Sequence, residues 1–134
     1  MFGLSKHKKK AVQTPIGDGF SEPDPKHGEI ITVPRFHRGA VMEFSWHPAL
    51  PSAQQVLEVA TAIQTYIDCA LDMIDADQEF RTAIVQQGGI YPISVYWGRD
   101  DCDFVLDFGY VGWPDGVLHF YFCGGQIKDT DVSD

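Results

Sequence analysis

Basic residues are scarce once the first ten positions are passed. Lys6, Lys8, Lys9 and Lys10 leave six Lys and Arg against all 19 Asp and Glu for the rest of the 134-residue chain. A body that acidic is a poor match for phosphate backbones, which binding proteins meet with Lys and Arg, so no direct nucleic-acid binding is expected. Cysteine is sparse too. Cys69, Cys102 and Cys123 make an odd count with no CxxC pair, which argues against a secreted disulfide framework and for reduced thiols packed as small hydrophobes. No apolar run approaches the ~20 residues of a membrane span. The opening lysines are followed by a polar, Pro/Gly-rich stretch rather than an apolar h-region, so they do not read as a signal peptide. Phe2 and Leu4 beside them anchor too weakly for stable membrane association. The expected location is cytoplasmic. The glycine pairs at Gly88 and Gly124 lack phosphate-cradling patterns. The five histidines show neither i, i+4 pairing nor zinc-like spacing with the cysteines. Neither a cofactor nor a metal is expected.

What is present is enough apolar surface for one core: 44% of residues are hydrophobic and 13% aromatic. Residues 1–27, broken by Pro15, Gly17, Gly19, Pro23 and Pro25, read as a flexible basic and Pro/Gly-rich tail. Residues 28–134 read as a single α+β domain. The β-rich runs Glu29–Phe36 and Ala40–Trp46 predict a hairpin. Ser52 and Gln55 form a capping-box signature, followed by Val56, Val59, Ala60, Ile63, Ile67, Ala70 and Ile74 at helical spacing. Run straight to Gln87, where Gly88-Gly89 stop it, such a helix would be ~54 Å long, too long for a domain ~35–40 Å across. A break is expected at Asp75-Ala76-Asp77, with Asp77 capping a second piece. Three further runs, Tyr91–Trp97, Asp103–Val111 and Val117–Cys123, predict a three-stranded meander with Phe104, Leu106, Phe108, Tyr110, Leu118, Phe120 and Phe122 on its core face. A turn at Trp113-Pro-Asp-Gly-Val117 would set Cys123 opposite Asp107 and His119 opposite Val111. The expected architecture is therefore α+β: a mostly antiparallel sheet, made of an N-terminal hairpin plus a C-terminal three-stranded meander, covered on one face by a long, broken helix.

Three places carry candidate chemistry. On the second face of the meander, Tyr96, His119 and Tyr121 point outward with Ser94 and Asp107. The expected register keeps His119 several residues from the other two, and no nucleophile elbow accompanies Ser94, so no catalytic residues are assigned. Tyr is enriched at interface cores, and this face reads as a binding surface. The loop Trp97–Asp103 concentrates Asp100, Asp101 and Asp103 beside Tyr96 and Trp97, but its spacing is not that of a calcium loop. Cys102 between two acids has its thiolate disfavoured. Asp68, Asp72 and Asp75 line one helix face at i, i+4 and i+7 without a Lys or Arg to pair them, an arrangement that costs helix stability. These residues together suit a cationic protein partner.

In size, acidity, α+β layout and its opening Met-Phe-Gly-Leu-Ser-Lys-His-Lys-Lys-Lys, the chain resembles bacterial immunity proteins, the cognate antitoxins of contact-dependent and other polymorphic toxin systems. The resemblance implies a small acidic cytosolic inhibitor that neutralises a basic toxin domain, such as a nuclease, by occluding its active site, and not an enzyme. The alternative is a small enzyme or ligand-binding domain with a pocket between helix and sheet, using Asp107 or His119.

Overall fold

Residues that alternate apolar and polar along extended chain must bury one side, and in this protein they do so within one sheet. The structure is a computed structural model that describes residues 9–26, 28–49 and 51–134. Lys6, His7, Lys8 and His27 of the expected tail lie outside the described residues. The elements are β1 (Lys10–Thr14), β2 (Gly17–Asp24), β3 (Gly28–His37), β4 (Ala40–Trp46), α1 (Ala53–Thr61), α2 (Ile63–Asp75), α3 (Gln78–Gln86), β5 (Ile90–Trp97), β6 (Phe104–Tyr110), β7 (Trp113–Cys123) and β8 (Gln126–Ser133). All eight strands form one sheet in chain order. Each neighbouring pair is antiparallel except β4 and β5, which run parallel with Glu43, Phe44, Ser45 and Trp46 beside Ser94, Val95, Tyr96 and Trp97. A parallel neighbour needs a long crossover, and the three helices supply it.

The class is α+β, as the sequence predicts, but the layout differs. The expected hairpin-plus-meander is an eight-stranded sheet, and the expected long, broken helix is three short helices. Ser52 does cap α1 with a full capping box: its Oγ accepts from the Gln55 amide at 3.1 Å, and Gln55 Oε1 accepts from the Ser52 amide at 2.7 Å. Asp77 caps α3 through the Phe80 amide at 3.2 Å. An additional break falls at Ala62. Ala60 and Ile63 on either side of it are both buried, so the i, i+3 pattern reads through the interruption unchanged and periodicity alone does not reveal it.

Residues 10–24, expected in the tail, are strands β1 and β2. Gly19 is a pairing residue here rather than a breaker. A Cβ on it would stand 2.4 Å from the Thr32 carbonyl oxygen, so only glycine lets β2 and β3 approach there. Ile16, in the β1–β2 turn, reaches the core. Strand β8, also unforeseen, follows Gly124-Gly125, both at positive φ (59° and 80°), the two-residue hairpin signal.

The β6–β7 register is corrected as well. The turn is Val111-Gly112, and Pro114–Gly116 form an irregularity inside β7, where the Trp113 ring lies against Gly116. Asp107 therefore faces His119, and Val105 faces Tyr121. The core-face set is as predicted: Phe104, Leu106, Phe108, Tyr110, Leu118, Phe120 and Phe122 are all buried, together with Val33, Met42, Phe44 and Trp46. Val56, Val59, Ile63, Ile67 and Ile74 of the helices join the same cluster, which places the helices over one face of the sheet. Among the described residues no helix is long and apolar enough to cross a membrane.

Candidate functional site: the uncovered face of the sheet

The opposite face follows from the strand register. One row across the sheet runs Pro34, Glu43, Ser94, Asp107, His119, Asp131; its neighbour runs Thr32, Ser45, Tyr96, Val105, Tyr121, Asp129. Strand alternation dictates these residues on β4 to β7, whereas Asp129 takes its place after an irregularity that skips Lys128. The first row is chemically connected. Ser94 Oγ donates to Asp107 Oδ2 at 3.3 Å, and Asp107 Oδ1 lies 2.5 Å from His119 Nδ1. A carboxylate only accepts, so Nδ1 carries the ring proton and Nε2 accepts from the Ser133 hydroxyl at 2.6 Å. Burial raises the Asp107 carboxyl above its ordinary range, opposed by the hydrogen bonds from His119 and Ser94.

The sequence-based separation of His119 from Ser94 and Asp107 is thus overturned: a four-strand chain Ser94–Asp107–His119–Ser133 crosses the face. An activated serine needs a base and an orienting group, both present at Ser133. Acyl transfer also needs donors aimed at a developing oxyanion and a recess for the substrate. The recess beside the chain, about 240 Å³, is lined by Arg99, Tyr121, Asp129 and Asp131 among others, and not by His119 or Ser133.

Toward the other end of the face lies a cleft of about 720 Å³ between the end of β2, the segment after β4 and the β5–β6 loop. Its floor is Tyr96 and His47. The His47 ring is almost wholly buried (3% exposed). Its Nδ1 donates to the Glu29 carbonyl at 2.9 Å, with Asp24 Oδ2 at 3.4 Å, and its Nε2 accepts from Tyr96 Oη at 2.9 Å. Burial pushes the Tyr96 phenol up, Asp24 adds to the shift, and Arg99 opposes it. Glu22, Asp24, Asp100 and Asp101 rim the cleft with Lys26 and Arg99.

The β5–β6 loop is organised from within. Arg99 grips Asp101 with two hydrogen bonds of 2.9 Å, holding its carboxyl down at about 2, and lies 4.8 Å over the Tyr121 ring. Lys128 Nζ donates to the Asp101 carbonyl at 2.7 Å. Asp103 accepts from the Gly124 amide at 2.8 Å and ties the loop to the β7–β8 turn. The Cys102 thiol is pushed up, as predicted, but by burial first and by Asp101 second.

The predicted site residues therefore divide. Tyr96, His119, Tyr121, Asp100 and Asp101 gather on or beside the uncovered face. Asp103 is spent on the turn. Trp97 is not a surface anchor. It is 4% exposed, packed against Phe44, Trp46 and Phe104, because it falls on the core side of β5. Asp68, Asp72 and Asp75 are exposed on α2, on the far side of the molecule. Among them Asp68 accepts from Gln64 Nε2 at 2.8 Å. Sequence reasoning missed His47, Asp129, Asp131 and Ser133. The Gly124-Gly125 turn signal would have placed the last three on a strand. No family model matches the chain, and no curated protein or solved structure matches it.

Proposed function

We propose that the protein is a small acidic binding module for a basic protein, acting in the cytoplasm as an immunity protein that covers the active site of a cognate toxin domain. The observation that carries this reading is the charge of the uncovered face. Glu43, Asp107, Asp129 and Asp131 lie in its rows, and Glu22, Asp24, Asp100 and Asp101 rim its cleft. Of the nearby cations, Arg99 and Lys128 are engaged by Asp101, and Lys26 stands on the cleft rim among these carboxylates. Such a face steers a cationic surface inward and speeds its association, while Tyr96 and Tyr121 supply the aromatic contacts that lengthen the complex's life. The test is capture of the partner by in-cell crosslinking, followed by association kinetics over a range of salt. Association should slow steeply with salt. It should slow far more for Asp129→Lys with Asp131→Lys than for Asp68→Lys with Asp72→Lys and Asp75→Lys. A salt-independent rate, or a partner without a basic surface, overturns the reading.

A second reading rests on the Ser133–His119–Asp107 chain, whose 2.6 Å and 2.5 Å contacts match a base-activated serine. Labelling of Ser133 by a fluorophosphonate, lost on His119→Gln, would favour it over the binding module; an unlabelled Ser133 removes it.

A further inference from the structure

The sheet ends in two unlike edges. Strand β1 is five residues long and begins at Lys10, next to Lys9. Strand β8 is eight residues long, pairs with β7 along its inner side, and has no described strand on its outer side. An edge strand presents a row of unpaired N–H and C=O groups, a template for another extended segment. On the uncovered face, Asp131 closes the row through His119, and Asp129 closes the row through Tyr121. The ion pairs among the described residues join His47 to Asp24, Arg99 to Asp101 and His119 to Asp107. No ion pair among the described residues joins Asp129 or Asp131, which share a recess with Arg99 and Lys128, and each accepts from the amide of the next residue at 2.9 Å.

We propose that β8 is the docking edge for the partner: an extended segment of the basic protein adds a ninth strand, with Lys or Arg at alternate positions facing Asp129 and Asp131. The proposal rests on the basic-partner reading and adds the mode of contact. Strand periodicity makes it specific. Successive positions of an added strand point to opposite faces, so a cation at every second residue continues both rows, about 5 Å beyond each carboxylate. Backbone hydrogen bonds supply affinity, and the alternating cations set the register. The same charges disfavour a second copy in this place. Two β8 strands laid side by side bring Asp129 and Asp131 of one against those of the other, a like-charge cross-strand arrangement. Pairing of β8 with β1 of another copy would be heterologous and open-ended, and would appear as concentration-dependent assembly.

The experiment uses the whole protein, isotope-labelled, and two synthetic peptides of the length of β8 and equal composition. One alternates Lys with Val; the other groups its lysines at one end. The alternating peptide should bind more tightly, shift resonances of β8, His119 and Tyr121, and protect β8 amides from hydrogen exchange. Asp129→Lys with Asp131→Lys should weaken it about tenfold or more, as two cross-strand attractions become repulsions. Equal binding of the grouped-lysine peptide, an absence of β8 protection, or binding of neither peptide at low salt overturns the strand-addition mode. Self-association of the protein without peptide overturns the assigned occupant. If reversing Asp68, Asp72 and Asp75 abolishes binding while the β8 reversal does not, the edge assignment fails and the basic-partner reading stands. Captured-partner association that is indifferent to salt removes the broader reading instead.

Discussion

The two faces of this sheet are built to opposite specifications. Under the helices, Phe44, Phe108, Phe120, Phe122, Met42 and Leu106 are fully buried, and aromatic rings meet in series: Phe104 stacks on Phe122 at 4.9 Å, and Phe120 stacks on Phe80 at 6.2 Å and meets Phe108 edge to face at 5.4 Å. On the far face the same strands carry Ser, Asp, His and Tyr, with Asp107 and His119 half-buried in a chain of hydrogen bonds. Burial of apolar area is the dominant favourable contribution to folding. The covered face therefore holds the fold, and the uncovered face contributes less to it. The polar chain on that face is satisfied, since no buried side-chain N or O among the described residues lacks a hydrogen-bond partner.

The sharpest way to test this division is to damage each face in turn. Phe120→Ala removes a fully buried ring from the middle of the aromatic series and should cost about 3–5 kcal/mol, read by urea or thermal unfolding. On the other face, Asp107→Ala leaves the His119 Nδ1–H without its acceptor and should cost about 1–3 kcal/mol, visibly less than the core lesion. Equal losses would mean that the polar chain, too, holds the fold.

Acidity separates two carboxylates on the uncovered side. Burial raises Asp107, so the folded state favours its protonated form. Its contribution to stability is complete below the ordinary value of 3.8 and is lost as pH rises through the raised native value. Asp107→Asn should remove that decline from a stability-versus-pH curve. Asp101 behaves oppositely: held at about 2 by Arg99, it contributes above 3.8 and loses that contribution as pH falls toward 2. Because Asp101 is fully exposed, solvent screens the pair. Asp101→Asn should give the smallest change of all, a screened loss present at neutral pH that vanishes as pH falls toward 2.

Local signals were legible in the sequence and close approaches were not. The Ser52–Gln55 capping box, the Asp77 cap and the buried alternation from Phe104 to Tyr110 and from Leu118 to Phe122 depend on neighbours a few residues away. Gly19 could not be read as a strand residue, because what demands glycine there is the Thr32 carbonyl of another strand. Pro114 to Gly116 mimic a turn so well that the real one, Val111-Gly112, goes unnoticed. That displacement decides the site, for it moves His119 from opposite Val111 to opposite Asp107. A site built across strands is only as readable as the register between them.

Every sheet pairing but one joins strands linked by a short turn or loop. The exception, β4 beside β5, is bridged by the whole helical segment. The molecule is thus two four-stranded meanders, each able to zip from local turns, closed along a single seam whose formation must meet the entropy of a long loop. At that seam the Trp46 and Trp97 rings meet edge to face, 6.1 Å apart. The chain carries its own optical reporter, since the coupling of these two indoles arises when the halves join and is lost when they part.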